Sequence, residues 1–135
     1  MKPRSDYVPS VTYKVPTNCG TMYVTVTIDE DSKPYEVFAY MGHTGLCTSA
    51  QINGLTVAIS LGLRNDVPVQ IFIEHLSQIK CDQKRFLGNK ITISSCANAI
   101  AQVLEHASND QRTLEWANEE WYRINEKNKS VRDKS

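Results

Sequence analysis

Two groups of residues could do chemistry. The first is four cysteines, Cys19, Cys47, Cys81 and Cys96, and the second is residues 82–90, Asp-Gln-Lys-Arg-Phe-Leu-Gly-Asn-Lys. No two cysteines form a C-x-x-C pair, so their spacing alone indicates neither zinc nor a redox motif. In 82–90, Lys84 and Arg85 can hold phosphates while the ring of Phe86 stacks under a base. Asn89 and Gly88 would add hydrogen bonds and close backbone approach, and Arg64 joins them if the two segments meet. The competing reading is a solvated loop whose Phe86 folds back onto the core. A third segment, Gly42-His43-Thr44-Gly45, leads into a helix whose free N–H groups can bind an anion, or is an ordinary tight connection.

Catalytic groups are sparse. The three histidines, His43, His75 and His106, form no H-x-x-x-H pair, and no G-x-S-x-G, Walker loop or G-x-G-x-x-G occurs. Glu115, Glu119, Glu120 and Arg123 have the pattern of a solvated helix face. A non-catalytic protein is the stronger expectation. Fifteen Lys and Arg balance fifteen Asp and Glu. A neutral chain argues against nonspecific nucleic-acid binding and against a polybasic membrane clamp. No apolar run approaches the roughly 20 residues of a spanning helix, and the first residues, Met-Lys-Pro-Arg, do not lead into a signal-type apolar core. The expectation is a soluble cytoplasmic protein with reduced thiols.

The elements that must position these groups follow from periodicity. Met22, Val24, Val26 and Ile28 alternate with Tyr23, Thr25 and Thr27, which predicts a half-buried strand. Asp29–Pro34 is turn chemistry and Tyr35–Met41 a second strand, giving a β-hairpin, with Val11–Val15 as an edge strand. The period then changes to 3.6. Thr48 or Ser49 caps a first helix carrying Ile52, Leu55, Ile59 and Leu63, in which Gly54 and Gly62 imply close packing against something. Asp66 caps a second helix from about Pro68, with Val69, Phe72, Ile73, Leu76 and Ile79. Residues 81–90 read as a polar, basic loop. Ser94 or Ser95 caps a third helix, and a Ser108/Gln111 capping box opens a fourth over 109–127, with Leu114, Ala117, Trp121 and Ile124 inward. The fold class is α+β, a small antiparallel sheet packed against three to four C-terminal helices.

In this order the motifs resemble a known family. The blocks are Thr17-Asn18-Cys19-Gly20, the Tyr-Val-Thr-Val-Thr strand from Tyr23, Pro34-Tyr35-Glu36-Val37-Phe38 and Gly45-Leu46-Cys47-Thr48-Ser49-Ala50. Ile59-Ser60-Leu61-Gly62-Leu63-Arg64, Ile79-Lys80-Cys81 and Ser95-Cys96-Ala97-Asn98-Ala99-Ile100-Ala101 follow. Together they resemble the TSCPD domain, best known at the C-terminus of adenosylcobalamin-dependent ribonucleotide reductases and also found as stand-alone copies, including in phages. The resemblance covers the domain over 11–105, which leaves a lead-in over 1–10 and an added helix over 106–127, and the polar, charged composition of 128–135 predicts a flexible tail. The resemblance also implies that Cys19, Cys47, Cys81 and Cys96 are the family's four cysteines. Four thiolates gathered by a fold can close a structural zinc site; the alternative is four reduced cysteines acting as small hydrophobes. The sequence departs from the family-naming motif, which has Pro and Asp where this chain has Ala97 and Asn98. A neutral Asn98 can donate to a ligand where an Asp cannot.

Two functional expectations follow. The first is capture of a nucleotide-like small molecule without turnover. Arg64, Lys84 and Arg85 would hold phosphates, Phe86 would lie under a base, and Asn89 and Asn98 would orient it. Phage proteins that sequester cyclic nucleotide or cyclic ADP-ribose immune signals resemble such a protein in size. The second is a zinc-stabilised accessory module of a B12-dependent ribonucleotide reductase. Trp116, Trp121 and Tyr122 on the last helix imply a homo-oligomer interface.

Overall fold

A computed structural model gives the arrangement of the chain. It describes all residues except 18, 43, 44, 82–84, 88–90, 134 and 135, and leaves out the side chains of 46, 85–87, 91, 92 and 128–133. The predicted alternation is realised in a three-stranded antiparallel meander of β1 (Ser10–Thr17), β2 (Gly20–Ile28) and β3 (Pro34–Met41), in that spatial order. Met22, Val24, Val26 and Ile28 of the central strand are fully buried. Thr17 pairs with Gly20 across a two-residue turn that brings Cys19 to the tip of the hairpin. At the other end Asp29 organises the β2–β3 turn, its carboxylate accepting from the backbone N–H of Asp31 (2.8 Å) and Lys33 (3.0 Å). Thr27 and Ile28 face Glu36 and Pro34, so Tyr35 is an extra residue that bulges β3 there.

Four helices follow: α1 (Leu46–Arg64), α2 (Val69–Leu76), α3 (Cys96–Asn109) and α4 (Gln111–Asp133). The architecture is α+β. Helix α3 packs against all three strands and closes the core with Ile100, Leu104 and a series of buried alanines. Small residues let it approach the sheet closely, while Ile100 and Leu104 fill the space between the layers. Helix α4 packs Leu114 and Ala117 against the core and is pinned to the sheet where the buried Trp121 indole N–H donates to the Ile28 carbonyl at 2.8 Å.

Several local expectations are corrected. Helix α1 starts at Leu46 with Gly45 as N-cap, so Thr48 and Ser49 lie in its first turn. Asp66 does not cap α2, whose N-cap is Pro68. It ends α1 instead. Val67 N–H bonds Gly62 O (3.0 Å) and Asp66 N–H bonds Leu63 O (3.2 Å), the double closure that satisfies a helix's last carbonyls. The Ser108/Gln111 capping box does not form. Ser108 Oγ donates back to Leu104 O at 2.7 Å, and Asp110 starts α4, accepting from Thr113 Oγ1 at 2.8 Å. That hydrogen bond, with backbone N–H groups and nearby His106, holds the Asp110 carboxyl below its ordinary value. Within the 81–90 stretch, Arg85–Leu87 forms a strand, β4, paired antiparallel with β5 (Ile91–Ile93). The helical glycines differ: a Cβ on Gly62 would meet the Phe72 ring at 2.5 Å, but one on Gly54 would meet nothing within 4 Å. Among the described residues no helix is long and apolar enough to cross a membrane.

The α1 terminus yields a stability prediction. Asp66 has φ 67°, a left-handed conformation that costs a non-glycine residue roughly 1 kcal/mol. Asp66→Gly is expected to raise unfolding stability by about 0.5–1 kcal/mol, read from thermal or denaturant melts.

Candidate functional site

Three of the four cysteines converge. Cys19 sits in the β1–β2 turn, Cys81 follows α2, and Cys96 opens α3. Ser95 places Cys96: its side chain caps α3 by accepting from Asn98 N–H at 2.9 Å and also donates to Ile79 O at 2.6 Å. Cys81 is held alongside by its own N–H, which donates to Ser94 O at 2.8 Å. Cys19, Cys47 and Cys81 are exposed and Cys96 is partly buried. Burial pushes the Cys96 thiol up to about 11, helped by the neighbouring thiols of Cys19, in hydrogen-bond contact, and Cys81; the Thr17 hydroxyl opposes the rise. Cys47 lies near the start of α1. Among the described residues no group of three or more His, Cys, Asp or Glu is arranged to hold a metal ion. The corner brings Cys19 and Cys81 beside Cys96, whose thiol burial holds in its neutral form at neutral pH.

Asn98 is occupied by the fold. Its Nδ2 donates to Ser77 O at 2.9 Å, and its Oδ1 accepts from Ser94 N–H at 3.3 Å and Gln102 Nε2 at 2.7 Å. It joins the end of α2 to the start of α3, and the bond to Ser77 needs an amide, since a carboxylate cannot donate. Arg64 is likewise engaged. Its Nε donates to Lys2 O (3.3 Å), its carbonyl accepts from Lys2 N–H (2.7 Å), and its guanidinium lies 5.8 Å from the Tyr35 ring centroid. The contacts of Arg64 and of Asn98 involve different parts of the fold. Lys84 and Asn89 lie outside the described residues, as do the side chains of Arg85 and Phe86; the backbone of the latter two lies in β4.

Sequence reasoning missed a groove between the N-terminal segment and α4. It has a volume of about 560 Å³, with Tyr7 and Pro9 on one wall and Trp116, Glu120, Arg123, Ile124 and Lys127 on the other. Tyr7 is 64% exposed and Trp116 40%, so both rings have free area beside the two cations. Arg123 is shared with Glu120 through a 2.8 Å ion pair. The available signal was Trp116, Arg123 and Lys127 at helical spacing, seven and four residues apart. Nothing local in the sequence linked them to Tyr7, which the chain brings over through long-range contacts: Lys2 pairs with Asp29 and Arg4 with Glu36, both at 2.9 Å, and the Tyr35 hydroxyl donates to Pro3 O.

A family model described as the TSCPD domain matches residues 2–108. The chain belongs to the TSCPD family. No curated protein and no solved structure matches it significantly. The matched span takes in the N-terminal segment that these ion pairs bind to the sheet and ends with α3, leaving α4 outside. One wall of the groove thus belongs to the TSCPD domain and the other to the added helix.

The thiol corner makes a checkable prediction. In chelator-treated protein at pH 8, alkylation followed by peptide mass spectrometry is expected to label Cys19, Cys47 and Cys81 ahead of Cys96. The raised Cys96 value favours its neutral form in the fold, so this contribution to stability is complete below the ordinary thiol value of 9.0 and is lost as pH rises towards about 11.

Proposed function

We propose that this TSCPD protein binds a nucleotide-type small molecule and sequesters it without turnover. The observation that supports the reading is the Tyr7–Trp116 groove: its volume is in the range of small-molecule sites, and it sets two exposed rings beside Arg123 and Lys127. Rings of this kind stack on a base, and cations of this kind pair with phosphate oxygens. The sparse catalytic inventory favours capture over conversion. A cyclic nucleotide or cyclic ADP-ribose, the immune signals that phage sponges sequester, has both features in a compact form.

The test is native mass spectrometry of protein purified without chelator, followed by calorimetric titration with cyclic dinucleotides and cyclic ADP-ribose. The expected result is a nucleotide-sized adduct or micromolar binding, with Trp116→Ala losing ~1–3 kcal/mol of affinity. Absence of both adduct and titration heat would overturn the reading. Family membership favours one alternative, an accessory module of a B12-dependent ribonucleotide reductase, which predicts binding to the reductase and none to free nucleotides.

A structural zinc belongs to either reading as a proposal. The family pattern implies Cys19, Cys47, Cys81 and Cys96 as its ligands, and since among the described residues no three of them are arranged to hold a metal ion, binding would have to draw them together. Bound zinc would supply cross-linking of the β1–β2 turn, the α2 exit and the start of α3. Elemental analysis is expected to give one zinc per chain, with a lowered melting temperature after chelation. Metal-free protein from zinc-supplemented cells would refute it.

A further inference from the structure

Helix α1 lies along the free edge of the sheet. The Ser60 hydroxyl accepts from Val37 N–H at 3.0 Å and donates to Val37 O at 2.9 Å, occupying the outer edge of β3, while Ile52, Thr56, Ile59 and Leu63 face the core. With about 100° between successive residues, Val57 and Leu61 come next after Ser60 on the side away from Ile59 and Leu63. That side adjoins the outer face of the sheet, where Phe38 and Tyr40 of β3 and Tyr23 of β2 project. All five are large and exposed, between 40% and 66%. Tyr23 pairs directly with Tyr40, and Phe38 is the next outward residue along β3. The result is one apolar surface across a helix and a sheet.

Its charge pattern is as informative as its apolarity. From Leu46 to Leu63, α1 carries no Asp, Glu, Lys or Arg, although Ala50, Gln51, Asn53, Gly54, Val57, Ala58 and Leu61 are exposed. The exposed side of α4 carries Arg112, Glu115, Glu119, Arg123, Glu126 and Lys127. A solvated helix has the second pattern. Gly54 adds to the contrast, because Gly62 makes room for Phe72 whereas, among the described residues, nothing outside the helix backbone comes within 4 Å of a Cβ placed at Gly54.

We infer that this surface is a docking face for a second copy of the same chain, joined about a two-fold axis through α1 and the Tyr23–Phe38–Tyr40 face. An isologous contact places like residues near like, which an uncharged face permits without repulsion and a charged face does not. A strongly charged partner would find no counter-charges on α1. Lys14, opposite Tyr23 on β1, falls at the rim, where a charge stays hydrated. A 19-residue helix is about 28 Å long, and the exposed Tyr23, Phe38 and Tyr40 widen its face across the sheet, an extent suited to a protein-sized partner. Gly54 lets the partner's backbone come close. This inference is independent of the proposed ligand, whose groove lies at α4.

The test is sedimentation velocity or light scattering on the full chain over about 1–100 µM. The expected result is a dimer, or an even-numbered assembly built from it. The double substitution Val57→Lys and Leu61→Lys is expected to halve that mass with circular dichroism unchanged, since both side chains are exposed. Gly54→Leu, which enters open space in the single chain and favours helix, is expected to weaken dimerisation at least tenfold while leaving the melting temperature of the dissociated chain undiminished. Tyr122→Lys on α4 is expected to leave the mass unchanged. A wild-type monomer throughout the range, an assembly that survives the α1 substitutions, or one broken by Tyr122→Lys would each overturn the inference.

Discussion

The inner face of β2 must be kept dry, and most of the fold serves that need. Met22, Val24, Val26 and Ile28 are completely buried on the middle strand of a three-stranded sheet. Burying side chains of this size stabilises by about 1.5–3 kcal/mol each, but only if something covers them. Helix α3 is the cover, and its alanines set how near it lies. Its neighbours are placed accordingly: α2 packs on α3, α1 lies along β3, and α4 is fastened by Trp121 to the end of β2.

The junction between α2 and α3 shows how a structural requirement arranges chemistry. Ser94, Ser95 and Asn98 satisfy the backbone groups left open where α2 ends and α3 begins, and in doing so bring Cys81 and Cys96 to the hairpin tip that bears Cys19. Three thiols distant in sequence thus meet without any of them holding the fold together covalently. Asn98 stands where the family motif has an acid, and its amide explains how the change is accommodated: it both donates and accepts within the junction.

Both ends of the chain contribute to the outer surfaces. The N-terminal segment is drawn over one end of the sheet by Lys2–Asp29 and Arg4–Glu36, with Glu36 almost fully buried. It thereby covers part of the outer face and forms one wall of the Tyr7–Trp116 groove. The rest of that face keeps its aromatic residues exposed and continues into the uncharged side of α1. The molecule consequently presents two surfaces of different character, a groove with cations and a broad apolar face.

The sequence by itself determined the α+β class, the β2–β3 hairpin, the inward residues of β2 and the Leu114–Ala117–Trp121–Ile124 stripe, because these depend on local periods of 2 and 3.6 residues. Family membership was legible too, in ordered blocks around the cysteines. Helix boundaries were less so, since competing cap residues such as Ser108 and Asp110 lie close together and only packing selects between them. The tertiary structure alone decided that Arg64 and Asn98 are engaged in internal contacts, that Cys19, Cys81 and Cys96 meet, and that Tyr7 faces Trp116. Each of these joins residues far apart in the chain, and such pairs are fixed by how layers pack and which polar groups remain to be satisfied, not by any local pattern.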